Sequence, residues 1–141
     1  FLIGPDAEKA GTILHGTQAV LATTESTVPW STIMIRKSFG VAAAAHYGPD
    51  GYVLAWPSAE SGPLPLEGGV AVAFKKEIAS AENPEAKRKE LEEKMAKNQN
   101  PFPRAEAFSV HEIIDPRETR KYIALWAERI QSQLRAKLVS R

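Results

Sequence analysis

The chain changes its hydrophobic period several times, and each change marks an element. From Asp6 to Thr24, the positions Ala10, Ile13, Leu14, Thr17, Val20 and Leu21 recur at helical spacing, which predicts a helix opened by Gly4-Pro5-Asp6. Gly11 and Gly16 interrupt it, each costing about 1 kcal/mol relative to alanine unless another backbone packs there. Trp30 to Ile35, after Pro29, and Tyr52 to Trp56, closed by Pro57, predict strands. Between them, Val41 to Tyr47 is a helix of small residues and Gly48-Pro49-Asp50-Gly51 is a turn. Ser58 to Leu66 holds Gly62, Pro63 and Pro65 and reads as a loop. Glu67 to Ser80 predicts a helix with Val70, Phe74 and Ile78 on one face.

Asn83-Pro84 starts a largely charged helix to Lys97, whose large apolar residues are Leu91 and Met95. Its acids balance its bases, so it reads as a solvated face with pairs such as Glu90–Lys94 rather than a nucleic-acid patch. Arg104 to Phe108 reads as one helical turn and Val110 to Ile114 as a short strand. Asp115-Pro116-Arg117-Glu118 is the sharpest local signal. Asp115 is placed as N-cap, Pro116 at the first helical position, and Glu118 closes a capping box. The helix that follows runs to about Lys137 with Tyr122, Ile123, Trp126, Ile130 and Leu134 as its apolar stripe, a pattern of core or subunit interface. Strands alternating with helices predict an α/β fold with parallel strands, although two clear strands make a thin sheet.

Length and composition narrow the classes. The 141 residues suffice for one domain, and 43% hydrophobic with 25% charged residues is ordinary for a globular chain. Eighteen basic against 17 acidic residues give a net charge of +1, which implies no nucleic-acid partner. The absence of cysteine removes disulfides and thiolate chemistry. No apolar run reaches the roughly 20 residues of a membrane span, and no signal peptide is visible, so an intracellular location is expected. Phe1-Leu2-Ile3-Gly4-Pro5 reads as the exit of a strand, so the chain reads as a single domain that is itself a fragment.

Side-chain chemistry is sparse. His15, His46 and His111 have no second ligand at a metal spacing, and neither a Gly-x-Ser-x-Gly elbow nor a P-loop is present. No metal is expected. What stands out is Arg36-Lys37-Ser38-Phe39-Gly40-Val41-Ala42-Ala43-Ala44-Ala45, where a strand passes through a basic turn into a helix of small residues. Such a turn presents free backbone N–H groups, backed by the helix dipole, to developing negative charge. The same residues also fit a plain turn glycine followed by tightly packed alanines.

These residues carry a resemblance. Arg36 to Ala42 resembles the Arg-Lys-Ala-Tyr-Gly-Gly-Ala motif of the carboxyltransferases of biotin-dependent acyl-CoA carboxylases. Ala55-Trp56-Pro57-Ser58-Ala59 is similar to that family's Ala-Trp-Pro-x-Ala. Phe74-Lys75-Lys76-Glu77-Ile78, Asn100-Pro101-Phe102 with Ala105 and Glu106, Val110 to Arg120, and His15-Gly16 match further family segments in order. The resemblance implies a crotonase-like ββα spiral and places the chain in the later, C-terminal portion of the carboxyltransferase C-domain. It implies carboxyl transfer from carboxybiotin to the α-carbon of an acyl-CoA, or the reverse decarboxylation. Val41 and Ala42 are then the backbone oxyanion hole for an enolate. Phe39, Gly40, Ala43 and Ala44 shape the pocket, and Trp56 and Pro57 support it.

The implied cofactor is biotin, carried on a partner, with acyl-CoA as substrate. The implied partners are biotin carboxyl carrier and biotin carboxylase subunits or domains, in a homo-oligomer that is cytoplasmic, or in the mitochondrial matrix of a eukaryote. Two departures stand out: Val41 replaces the family's second glycine and crowds the approach, and Leu64-Pro65-Leu66-Glu67-Gly68-Gly69 replaces Met-Gly-Ala-Glu-Gly-Ala. Two other readings stay open. One is a non-catalytic truncated homologue serving as an assembly or binding module. The other is a different crotonase-type CoA enzyme, such as a hydratase, for which the sequence locates no placed glutamates.

Overall fold

The computed structural model describes residues 2, 4–48 and 51–139. Pro49 and Asp50 of the predicted turn, and Phe1 and Ile3 of the predicted strand exit, lie outside them. The first predicted helix is divided into α1 (Pro5–Lys9) and α2 (Thr12–Thr24). The break falls at Gly11, whose left-handed φ of 83° caps α2 without a side chain; few residues but glycine tolerate that conformation.

β1 (Ser31–Met34) leads to β2 (Lys37–Phe39) and then α3 (Gly40–Ala44). The chain repeats the plan with β3 (Tyr52–Ala55), β4 (Glu60–Gly62) and α4 (Leu66–Ala73). β1 pairs in parallel with β3 (Ser31 with Tyr52 through Met34 with Ala55), and β2 pairs in parallel with β4 (Lys37 with Glu60 through Phe39 with Gly62). Two successive strand–strand–helix units thus lay their first strands in one sheet and their second strands in another. The expectation of two clear strands and a short third becomes five among the described residues, with β2 and β4 as the additions. Lys37–Phe39, expected as turn, is strand, and so is the centre of the expected Ser58–Leu66 loop. Neither β2 nor β4 carries an apolar alternation, so their pairing rests on backbone bonds laid down by the repeat.

β5 (Glu112–Ile113) completes the first sheet in the order β1-β3-β5, with Leu54 opposite Glu112. β3 is therefore central. Its Leu54 and Ala55 are fully buried, as expected of an unbroken apolar run in a parallel sheet. Met34, Val53, Ala59 and Val110 pack around Ala55 as the core.

The predicted Glu67–Ser80 helix is interrupted at Phe74 (φ −114°, ψ 23°) into α4 and α5 (Lys75–Ala79). α6 (Pro84–Gln99) is capped by Asn83, whose side chain accepts from the Ala86 N–H at 3.1 Å. One face of α6 buries Leu91, and the rest is laced by ion pairs, Arg88–Glu92 at 2.7 Å and Lys87–Glu90 at 3.1 Å. Asn100 caps α7 (Pro101–Glu106).

Asp115 caps as expected, accepting from the Arg117 N–H at 2.9 Å. Pro116–Glu118 forms a 3-10 turn before α8 (Thr119–Val139). The predicted capping box does not close: Glu118 takes Lys121 at 2.9 Å instead, and Arg117 embraces the Asp115 carboxylate.

Candidate functional site

The strand-to-helix turn is built by Gly40. Its φ of 66° swings the chain from β2 into α3, with the Pro63 carbonyl 3.4 Å from where a Cβ would stand. α3 has five residues, and no side chain caps its start. The first N–H groups of a helix have no partner within it.

The backbone leading into this turn is fastened from the next unit of the repeat. The Met34 carbonyl accepts from the Trp56 N–H at 2.9 Å, the Ile35 carbonyl from Ser58 Oγ at 2.7 Å, and the Arg36 carbonyl from the Glu60 N–H at 2.9 Å. Behind α3, the His46 ring is 2.6 Å from the Ala42 carbonyl through Nδ1. A carbonyl only accepts, so Nδ1 carries the proton. The His46 carbonyl in turn accepts from Thr32 Oγ1 at 2.6 Å, tying α3 to β1.

Between β1, β2 and α3 lies an open cleft of about 740 Å³. Among the described residues, Phe39, Ala42 and Ala43 line it, together with Arg36, Lys37 and His46, and no carboxylate does. The described wall of the cleft is small-sided and carries the Arg36 guanidinium, a group suited to an anionic ligand. Tyr47 stands in the same wall, its hydroxyl 3.3 Å from Ser38 Oγ and 3.4 Å from Met34 Sδ.

The structure brings together part of the expected set. Gly40 makes the turn without lining the cleft. Val41 is 73% exposed and does not line the cleft. Ala44 is exposed on the same short helix. Trp56 and Pro57 lie outside the cleft, and Trp56 donates from Nε1 to Thr119 Oγ1 at 2.9 Å, joining the end of β3 to the start of α8. The sequence does not mark Ser58, His46 or Tyr47 as site residues. Ser58 lies within the Ala55–Ala59 motif, whereas His46 and Tyr47 follow the alanines without a spacing that marks them.

Residues 1–141 match the carboxyl transferase domain over their whole length. The chain belongs to the carboxyl transferase domain family. It is 39% identical over 128 residues to the methylmalonyl-CoA carboxyltransferase 12S subunit of Propionibacterium freudenreichii subsp. shermanii, covering 88% of this chain and 24% of that protein. It is 38% identical over 125 residues to the propionyl-CoA carboxylase carboxyltransferase subunit of Haloferax mediterranei, covering 85% and 24%.

Among solved structures it resembles a transcarboxylase 12S hexamer with methylmalonyl-coenzyme A bound, at a TM-score of 0.83 and 37% identity over 94% of this chain and 26% of that one. The β subunit of geranyl-CoA carboxylase from P. aeruginosa shares the fold at a TM-score of 0.81 and 20% identity, over 91% and 26%. This carboxyl transferase domain therefore has the crotonase-like ββα architecture, and it spans about a quarter of the length of the relatives it matches. Among the described residues, no helix is long and apolar enough to cross a membrane.

Proposed function

We propose that this chain is the later portion of a carboxyltransferase C-domain, and that it forms the carboxybiotin side of a site that moves a carboxyl group to the α-carbon of an acyl-CoA. The observation that carries the reading is the uncapped start of α3, entered through Gly40, beside a cleft lined by Ala42, Ala43, Arg36 and Lys37. Small side chains at Ala42 and Ala43 leave room for a ligand at the backbone, and the Arg36 guanidinium suits a carboxylate. When bound, carboxybiotin supplies the carboxyl group and the base that takes the α-proton.

The chain's own part is electrostatic. The Val41 and Ala42 N–H groups donate to the enolate oxygen, and Gly40 sets their direction. The hydrogen bonds from Trp56, Ser58 and Glu60 hold the backbone that enters the turn, so little reorganisation accompanies the charge change. Phe39 and Ala43 shape the pocket, and Trp56 and Pro57 support it from behind. The acyl-CoA is held largely by parts of the enzyme beyond this chain, in a homo-oligomer served by a biotin carboxyl carrier and a biotin carboxylase.

The test is Ala42→Pro in the assembled carboxyltransferase. Proline removes one N–H donor and is tolerated in the first turn of a helix. Loss of an oxyanion donor lowers kcat by about 10²–10³, while the acyl-CoA KM stays near its original value. Circular dichroism checks that the variant folds. A folded variant with unchanged kcat would leave Gly40 to Ala45 as packing residues only.

A further inference from the structure

Phe108 combines two unfavourable features on one residue. Its φ is 55°, left-handed backbone under a bulky side chain. The cause is local. α7 ends in a Schellman turn, where the Ser109 N–H donates to the Arg104 carbonyl at 2.8 Å and the Phe108 N–H to the Ala105 carbonyl at 3.0 Å. The residue at this point of such a turn is usually glycine. The Phe108 ring is also 93% exposed, more than any other large apolar side chain among the described residues. Strained backbone of this kind concentrates where the residue has a task, and a ring so exposed performs none within its own chain.

The neighbouring surface holds a hollow of matching chemistry. An open groove of about 320 Å³ is walled by Leu64, Phe74, Leu91 and Met95, from the β4–α4 connection, the α4–α5 break and α6. Arg104, four residues before Phe108 and joined to Ser109 by the turn, lines the groove as well, so ring and groove stand side by side. The charges are complementary. Lys94 lines the groove, and Glu106 stands two residues before the ring; both are exposed, and neither has an ion pair among the described residues. A protrusion next to its own complement makes a self-complementary patch, the requirement for a closed two-fold dimer. We propose that two copies of this chain pair about a two-fold axis beside Arg104, each seating Phe108 in the other's groove with Glu106 facing Lys94. A buried aromatic ring in an apolar pocket is a common anchor of interfaces. The contact is separate from the exposed apolar face of α2 and does not rest on the carboxyltransferase reading.

Sedimentation equilibrium tests it, on the full chain carrying Leu14→Glu and Leu21→Glu to silence the α2 face. That chain is expected to dimerise. Phe108→Gly weakens dimerisation at least about tenfold, yet raises the urea midpoint of the dilute monomer, because glycine adopts this backbone without strain. Ala73→Leu, at an exposed position on the groove wall, weakens dimerisation by filling the groove. Mixing the two variants restores association, since the mixed dimer regains one ring in one open groove and neither homodimer has any. If Ala73→Leu fails to fold, Lys94→Glu serves as the groove variant. A monomer at high concentration before Phe108 is changed overturns the proposal. So does dimerisation that Phe108→Gly leaves unchanged, or a mixture that associates no better than its components. A urea midpoint lowered by Phe108→Gly would equally overturn it, because the ring would then be packing within its own chain.

Discussion

Gly40 shows how much one residue can govern. A side chain there would find room beside the Pro63 carbonyl, so the obstacle to replacement is the positive φ rather than a clash. Gly40→Ala is expected to destabilise the fold by about 1–2 kcal/mol, the cost of left-handed backbone for an L-residue, measurable as a lower urea midpoint.

Asp115 gives a second residue-scale prediction, in pH. Hydrogen bonds from the Arg117 side chain, then from its backbone N–H, lower the Asp115 carboxyl from 3.8 to about 2. A folded-state value below the unfolded one means that the carboxylate stabilises the native state above about pH 4, and that this help is lost as pH falls from 3.8 towards 2. Acid melts followed by helical circular dichroism should show this step, and Asp115→Asn should lack it. The motif signalled the cap directly, because N-cap, proline and following helix are all local. It could not signal that Glu118 would turn to Lys121 instead of closing the capping box, since that choice is made among neighbouring side chains.

Elements were legible in proportion to their own hydrophobic period. β1, β3 and α8 announce themselves by it and α6 by its Asn83-Pro84 start, whereas Lys37-Ser38-Phe39 and Glu60-Ser61-Gly62 have no alternation to read and become strands only through each other. The candidate site inherits this limit. Its motif was visible, but the cleft exists because β2 is a strand, and its backbone is held by Ser58 from the second unit.

Ser58→Ala should leave the fold intact and reduce carboxyl transfer in the assembled enzyme through kcat more than KM, since it frees the Ile35 carbonyl beside the turn. An equal rise in KM with kcat unchanged would count against that role. At α6, Asn83→Ala removes the cap to the Ala86 N–H and should cost about 1 kcal/mol, read in a thermal melt.

At the scale of the molecule, α1 and α2 contain no buried residue. The predicted stripe of α2 is real as a pattern, yet Ile13, Leu14 and Leu21 are each more than half exposed. Apolar surface of this kind marks an interface. The purified chain should self-associate, and Leu14→Glu with Leu21→Glu should reduce that association. Light scattering from a monodisperse monomer at high concentration would contradict it. Periodicity identifies a face but not what covers it, which is why the helix was legible and its exposure was not.

β5 joins the sheet late. It pairs with β3 across a separation of 58 residues, flanked by the His111 N–H bond to the Val53 carbonyl. During synthesis at about 5–20 residues per second, the apolar edge of β3 therefore waits about 3–12 s for its partner to leave the ribosome. An unpaired strand edge is a template for wrong pairing, and in this protein that edge belongs to the fully buried centre of the sheet. Chaperone demand while the protein is being made should accordingly concentrate on nascent chains that end between β3 and β5.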